Sequence, residues 1–124
     1  MYLLGGPHPN RDRAELEIRR LVAAGEPLAT DAEVLQELIH RYAALGQAAK
    51  IGPGLQIILD MVDEVFPVDM QDVLRASEIV QMPGRWSARD AVHIASMEHR
   101  GITRIFSFDR DFDRWPTISR LPRA

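Results

Sequence analysis

Helical and extended segments alternate along the whole chain, and this alternation restricts the fold more than any other feature. Apolar residues recur at helical spacing in five segments, which we predict to be helices: 10–24, 31–49, 55–64, 69–82 and 87–100. Short extended runs that predict strands lie between or after them: 27–30, 65–68, 102–108 and 117–119. A short helix is also predicted at 110–114. Short strands that alternate with longer helices are typical of α/β proteins with a parallel sheet.

Length and composition predict a single domain over residues 1–124. The chain of 124 residues is long enough to bury a core, and it contains no repeat or linker. The absence of cysteine excludes a disulfide framework and any thiolate metal site. Because no apolar run approaches the ~20 residues of a membrane span, we expect a cytoplasmic protein that does not enter a membrane.

Basic residues are concentrated near the C-terminus although the net charge is −3. Residues 85–124 contain 8 arginines and 5 acidic residues, whereas acids predominate earlier in the chain. The planar guanidinium of arginine suits bidentate contacts with phosphate. A genome that favours arginine codons would produce the same bias, so both interpretations stay open.

Acidic residues cluster where a parallel sheet would bind a ligand. Ligands of such sheets lie beyond the carboxyl ends of the strands, which here means just after Thr30 and just after Phe108. Glu37 lies two turns into the helix after Thr30, Asp90 lies at the start of the 87–100 helix, and Asp109 directly follows its strand. Converging carboxylates raise one another's pKa unless a cation neutralises them, and an all-oxygen cluster suits Mg²⁺ or Mn²⁺.

Each of these three acids also has a purely structural interpretation. Glu37 has the spacing to pair with Arg41 on the exposed side of the helix. Ser87 and Asp90 have the spacing of a capping box, and Asp109 suits the first position of the next short helix. Taken singly, the structural interpretation is favoured for Glu37 and Asp90.

The other polar candidates are weaker. Asp111 and Asp113 can be explained as solvated acids in a short surface helix. The four histidines do not indicate a zinc site, because His93 and His99 are six residues apart rather than four.

Three sequence blocks together resemble the PIN-domain family, and within it the VapC toxins of bacterial VapBC toxin–antitoxin pairs. The blocks are EVLQELIHRY at 33–42, SARDAVHIA at 87–95 and SFDRDFD at 107–113. They occur in the order and at the spacing of that family, and the resemblance covers essentially the whole chain. It implies a PIN-like three-layer α/β/α sandwich with a mostly parallel sheet.

The resemblance also implies a function and a set of metal ligands. VapC proteins are Mg²⁺- or Mn²⁺-dependent endoribonucleases that cleave cellular RNA and are neutralised by a VapB-type antitoxin. By position, Glu37, Asp90 and Asp109 would be the catalytic metal ligands, supported by Asp111 or Asp113. By analogy with the family, we expect a homodimer.

Substrate contacts are implied by the same alignment of blocks. Arg89 and Arg110 lie beside two of the acids and are placed to contact RNA phosphate. Thr30 and Ser107 fall where the family has small hydroxyl residues near the metal or its water.

The N-terminus departs from the family pattern. Family members begin with an apolar strand that ends in an Asp, which is a principal metal ligand. The segment MYLLGGPH at 1–8 resembles the part of the family pattern after that strand, inside the first helix, and no Asp precedes Asp12. We therefore expect a sheet without the family's first strand, weak metal binding and poor catalysis, as a truncation or a misassigned start would produce.

This departure leaves a second function open. A catalytically impaired PIN-like module could bind an antitoxin or RNA without cleaving it, which the missing first carboxylate favours. Three acids at ligand positions favour the nuclease instead, because a binding module would not need them. Metal-dependent RNA cleavage distinguishes the two.

Overall fold

A computed structural model describes residues 1–4 and 11–122. In this part of the chain, five short strands form one sheet in the order β3-β2-β1-β4-β5, and every neighbouring pair is parallel. The strands are β1 Tyr2–Leu3, β2 Ala29–Asp31, β3 Glu64–Phe66, β4 Arg104–Phe106 and β5 Ser119–Leu121. The predicted α/β class with a parallel sheet is confirmed.

Five α-helices connect or flank these strands in the described residues. They are α1 Arg11–Ala23, α2 Ala32–Ala44, α3 Ile51–Met61, α4 Met70–Gln81 and α5 Ala88–Arg100. Two 3₁₀ turns, Ala48–Lys50 and Arg110–Arg114, complete the secondary structure. The start predicted for the first helix, residue 10, lies outside the described residues. Across residues 1–4 and 11–122, no helix combines the length and apolar character needed to cross a membrane.

The sheet separates two hydrophobic cores, which makes the fold three-layered. Side chains alternate between the faces of a strand, so Tyr2 and Ile105 point to one side and Leu3 and Phe106 to the other. The first core holds the inner faces of α4 and α5 together with the aromatic side chains of the C-terminal segment. The second core contains Ile18 of α1 and residues around the end of α3.

The expectation that the sheet would lack its first strand is wrong. Tyr2 and Leu3 form the central strand β1 and are 0% and 3% exposed. The backbone of this segment bonds to both neighbours: Ala29 donates to the carbonyl of Met1 at 2.9 Å, and Leu4 donates to that of Phe106 at 3.1 Å. Buried backbone groups must be paired, so this segment satisfies the edges of β2 and β4 that would otherwise stay unpaired.

Several predicted boundaries shift by a few residues. Helix α3 begins at Ile51 rather than Leu55, because the Gly-Pro-Gly run at 52–54 lies in its first turn. Proline is tolerated there because backbone N–H groups of the first turn have no partner within the helix. Helix α2 ends at Ala44 and not at residue 49, and the strand predicted at 102–108 is paired only at 104–106. The strand predicted at 117–119 lies at 119–121.

A buried carboxylate joins α4 to α5. Asp72 closes a reciprocal capping box with Asp69 at the start of α4. Its side chain is fully buried and lies 3.2 Å from the guanidinium of Arg100 and 2.9 Å from Nδ1 of His99. Asp69, Asp72 and His99 have the spacing of a metal site, but Arg100 already provides the cation for Asp72. This cluster therefore stabilises the helix pair that carries Asp90.

Two glycines allow a matched test of the backbone. Gly101 ends α5 with a φ of +67°, whereas Gly52 lies in α3, and an added Cβ meets nothing within 4 Å at either position. We expect Gly101→Ala to lower the free energy of unfolding by about 1 kcal/mol, because only its left-handed conformation opposes a side chain. Gly52→Ala should lower stability by less than Gly101→Ala, because Gly52 has no left-handed backbone, while the following Pro53 offsets the gain in helix propensity. Urea denaturation of both variants compares the two losses, and equal losses would contradict the interpretation.

Candidate functional site

Three carboxylates meet beyond the carboxyl end of the sheet. Asp90, Asp109 and Asp111 each place a carboxylate oxygen within 4.8 Å of the other two. Asp90 belongs to the first turn of α5, and the other two belong to the segment that follows β4. We call these three residues the acidic cluster. Two distant stretches of sequence thus supply one site, as expected for a parallel sheet.

Asp90 enters the cluster because another residue caps its helix. The Oγ of Ser87 accepts a hydrogen bond from the backbone N–H of Asp90 at 3.1 Å, which satisfies the start of α5. The reciprocal half of the capping box is formed at Asp69 and Asp72 of α4, but it is not formed at Ser87 and Asp90. The carboxylate of Asp90 therefore does not close a reciprocal capping box, although it also forms a side-chain hydrogen bond with Ser87.

Asp109 combines the two roles that its sequence position suggests. Its Oδ1 accepts the backbone N–H of Asp111 at 2.9 Å, so it caps the 3₁₀ turn. Its own N–H donates to the Oγ of Ser107 at 3.1 Å, which fixes the turn after β4. Capping accounts for one carboxylate oxygen and leaves the residue in the acidic cluster.

The acidic cluster raises the pKa of Asp90. Burial is the largest cause, and repulsion from Asp109 adds to it, whereas the charge of His93, a side-chain hydrogen bond with Ser87 and the charge of Arg89 oppose the shift. Both leading causes disfavour the charged form of Asp90. A bound cation would relieve the repulsion, and the all-oxygen donors suit a hard divalent ion.

Glu37 approaches the same region from α2 but lies outside the acidic cluster. Its Oε1 accepts from Nε2 of His93 at 3.0 Å and lies 3.6 Å from Nε of Arg89. Both cationic partners are on α5, in the two turns around Asp90. Glu37 thus faces the helix that carries a cluster residue, and it raises the pKa of Glu33 on its own helix, where burial is the larger cause.

A buried network behind Glu37 was missed in the sequence. His93 is 2% exposed, and its Nδ1 lies 2.7 Å from Oδ2 of Asp31, which is 0% exposed. The hydroxyl of Tyr2 donates to the same Asp31 oxygen and lies 3.1 Å from the Oγ of Ser96. The spacing of the histidines along the chain gives no sign of this arrangement. An available signal was the position of His93 on the apolar face of α5, where a polar ring requires buried partners.

The protonation states in this network follow from its geometry. Both nitrogens of His93 face carboxylates and must donate, so the ring is an imidazolium. Burial alone would lower its pKa, but the hydrogen bonds to Asp31 and Glu37 raise it to about 9. Burial likewise opposes ionisation of Asp31, yet its hydrogen bond with His93 brings its pKa below the ordinary value. Burial and the charge of Asp31 raise the pKa of Tyr2, which stays a neutral donor.

Three predicted site residues have other partners in the structure. The carboxylate of Asp113 lies outside the acidic cluster and forms a bidentate salt bridge with Arg120, with N···O distances of 2.8 and 3.1 Å. This pair lowers the pKa of Asp113. Thr30 is 0% exposed and donates to the carbonyl of Leu3 at 2.7 Å, so it ties β2 to β1 and does not reach a substrate. Ser107 is buried and supports the turn of Asp109.

Arginines border the acidic cluster on its exposed side. Arg89 and Arg110 are both exposed, and their predicted contact with phosphate stays a prediction. Arg114 lies 3.6 Å from Asp111, donates to the carbonyl of Gly84 and packs over the ring of Trp86 at 4.6 Å. It connects the acidic cluster to the loop that precedes α5.

Known proteins resemble this chain in sequence. Residues 1–117 match the sequence pattern of the PIN domain. The chain is 46% identical over 121 residues to ribonuclease VapC13 of Mycobacterium tuberculosis, covering 98% of this chain and 92% of that protein. It is 32% identical over 109 residues to ribonuclease VapC23 of the same species, covering 88% and 86%.

Solved structures resemble it in fold. VapC20 of Mycobacterium tuberculosis, a toxin that cleaves the sarcin–ricin loop, matches with a TM-score of 0.74 at 23% identity, covering 94% of this chain and 95% of that one. A chain of a toxin–antitoxin complex from Klebsiella pneumoniae matches with a TM-score of 0.63 at 13% identity, covering 89% and 88%. These likenesses confirm the PIN-like α/β/α fold.

The His93 imidazolium predicts how stability depends on pH. Its pKa of about 9 in the native state lies above the ordinary 6.5, so the native state binds more protons than the unfolded state between these values. The stabilisation is fully present below about pH 6.5 and is lost as pH rises through about 9, with a slope of at most ~1.4 kcal/mol per pH unit. We expect urea denaturation from pH 6 to 10 to show this decline.

Two histidine variants control this measurement. His93→Asn removes the titrating ring and should flatten the decline, whereas His40→Asn changes an exposed histidine and should preserve it. The same slope in His93→Asn and in the unchanged protein would contradict the assignment.

Proposed function

The chain belongs to the PIN-domain family, and we propose that it is a metal-dependent endoribonuclease that acts as the toxin of a type II toxin–antitoxin system. The observation that carries this proposal is the convergence of Asp90, Asp109 and Asp111 beyond the carboxyl end of the sheet. The relatives named ribonucleases cover nearly the whole chain, and one protein of similar fold is a toxin that cleaves the sarcin–ricin loop. We further propose that it acts in the cytoplasm and that a VapB-type antitoxin neutralises it.

The donor set of the acidic cluster fits Mg²⁺ or Mn²⁺. Three carboxylates within 4.8 Å of one another provide hard oxygen ligands, and burial together with repulsion from Asp109 raises the pKa of Asp90. Asp90, Asp109 and Asp111 would hold the ion, and Glu37 would support it from the neighbouring helix. When bound, such an ion activates water for attack on phosphorus and stabilises the leaving oxygen of a phosphodiester.

The residues around the acidic cluster have distinct roles in this proposal. Arg89 and Arg110 bind the RNA backbone, because exposed guanidinium groups beside a phosphate site can bind it through two hydrogen bonds. Arg89 also lies 3.6 Å from Glu37, so the same guanidinium group would contact both the RNA phosphate and this carboxylate. RNA affinity would fall as salt rises, since phosphate binding releases counterions.

One observation favours the alternative of a catalytically impaired module. The central strand β1 is followed by Leu4 and carries no carboxylate, whereas the family pattern has an Asp there. Asp31 ends the adjacent strand but does not replace it, because both of its oxygens are hydrogen-bonded within the buried network. Binding of antitoxin or RNA without cleavage is therefore the second candidate function.

Cleavage assays with two aspartate variants distinguish these functions. Asp90→Asn retains the backbone N–H that Ser87 caps but removes one charge from the acidic cluster. We expect a structured RNA to be cleaved with Mn²⁺ or Mg²⁺ and not with EDTA, and Asp90→Asn to lower the rate at least ~100-fold, within the range of metal-assisted catalysis.

Asp113→Asn is the matched control, because Asp113 lies on the same segment but pairs with Arg120. Its cleavage rate should stay close to that of the unchanged protein. Absence of metal-dependent cleavage in the unchanged protein, with RNA binding retained, would establish the impaired module instead.

We also propose that the chain forms a homodimer through α4. One side of this helix packs into the core, and the other exposes an apolar stripe made of Met70, Val73, Leu74 and Val80. Exposed apolar stripes of this kind mark protein interfaces. We expect light scattering to give the mass of a dimer for the unchanged protein.

A charge in the stripe should prevent this association. Leu74→Glu is expected to give a monomer, because Leu74 is 58% exposed in the centre of the stripe. Leu45→Glu is the control at a similarly exposed leucine, 61%, at the end of α2. A monomer at all concentrations for the unchanged protein would contradict the dimer.

A further inference from the structure

The carboxylate of Glu37 is held from one direction by α5. Nε2 of His93 lies 3.0 Å from Oε1 of Glu37, and Nε of Arg89 lies 3.6 Å from the same oxygen. Glu37 retains 18% exposure of its side chain, so it lies at the border between the core and the site. A glutamate there has several rotamers available, and only a fixed partner selects one of them.

His93 is itself fixed from behind. Its Nδ1 donates to Oδ2 of Asp31 at 2.7 Å, and the ring is 2% exposed. The other oxygen of Asp31 accepts the backbone N–H of Val34 at 3.0 Å, which anchors Asp31 to the first turn of α2. Tyr2 of the central strand donates to the Asp31 oxygen that also accepts from His93. The ring cannot turn without breaking buried, charge-assisted hydrogen bonds, which are the strong ones.

From these contacts we infer that His93, clamped by Asp31, is a positioning residue that fixes the carboxylate of Glu37 against the start of α5, the helix that contributes Asp90 to the acidic cluster. This inference rests on the proposed metal-dependent function, because it concerns how a supporting carboxylate is presented to the ion. Neither Asp31 nor His93 belongs to the acidic cluster. Their effect on a bound ion passes through Glu37, in the way that residues behind metal ligands orient those ligands.

If His93 had only a structural role, it would need to pair only with the buried carboxylate of Asp31. A buried carboxylate requires a partner, and the Nδ1 side of His93 provides one. The Nε2 side instead points out of the core, toward a half-buried glutamate on another helix. The two nitrogens can therefore be tested separately.

Two substitutions at this position separate the nitrogens. His93→Asn places an amide nitrogen near the site of Nδ1, so it keeps a donor to Asp31 and loses the donor to Glu37. His93→Gln reaches further and keeps a donor to Glu37 while losing the one to Asp31. We expect calorimetric titration with Mn²⁺ to show about 10-fold weaker binding for His93→Asn. His93→Gln should bind Mn²⁺ more tightly than His93→Asn but unfold at a lower temperature.

The order of the two variants decides the inference. Mn²⁺ binding by His93→Asn equal to that of the unchanged protein would overturn it, as would equal losses in both variants. If His93→Asn does not fold, Asp31→Asn replaces it. That variant keeps an acceptor for the N–H of Val34 and removes the charge that clamps His93. Weaker Mn²⁺ binding there supports the inference, and unchanged binding overturns it.

Failure of the proposed function gives a different result. If the unchanged protein neither binds Mn²⁺ nor cleaves RNA, the metal function fails whatever the variants do. Crystal structures of the unchanged protein and of His93→Asn then decide the positioning role. A Glu37 carboxylate that moves away from the start of α5 in the variant supports it, and an unmoved carboxylate overturns it.

Discussion

The buried pair of Asp31 and His93 connects the sheet to the site, and the rest of the structure is organised around it. Asp31 ends β2, begins α2 and accepts a hydrogen bond from Tyr2 of the central strand, while His93 belongs to α5. Two buried ionised groups are costly unless their geometry is good and their other polar atoms are satisfied. Here each oxygen of Asp31 and each nitrogen of His93 has a partner. Removing either residue would leave an uncompensated buried charge where β1, β2, α2 and α5 meet. The stability of these elements and the geometry of the site therefore depend on the same pair.

The sequence indicated the helices better than the centre of the sheet. Helices α4 and α5 were predicted within a residue of their ends, because apolar periodicity and caps such as Ser87 are local signals. Strand β1 has only two residues, and its pairing partners lie more than 25 positions away, at Ala29 and Ile105. No local pattern marks so short a strand. The strand is required only by the sheet topology, because without β1 the facing edges of β2 and β4 would have unpaired backbone groups.

The site was predictable where residues follow strands and less so where side chains meet across elements. Asp90 and Asp109 were expected to lie together with Glu37, because acids that follow the strands of a parallel sheet meet at one edge. The structure brings Asp90 and Asp109 together, but the third member of the acidic cluster is Asp111, which the sequence indicated only as a supporting ligand. Asp113 is two residues further on and pairs with Arg120, a partner that no sequence spacing predicts. His93 was set aside as unsuited to zinc. Its importance depends on Asp31, 62 residues earlier, and only the fold brings them together.

Helix capping and metal binding are compatible explanations for the acids of this site. Asp109 caps the 3₁₀ turn with one oxygen and still belongs to the acidic cluster. At α5 the cap is Ser87, and Asp90 lies in the first turn, where the helix dipole favours negative charge. Parallel sheets place such helix starts close together at their carboxyl edge, so residues suited to capping also converge. The competing interpretations of each acid therefore follow from the same topology, and the number of neighbouring carboxylates distinguishes a site from an isolated cap.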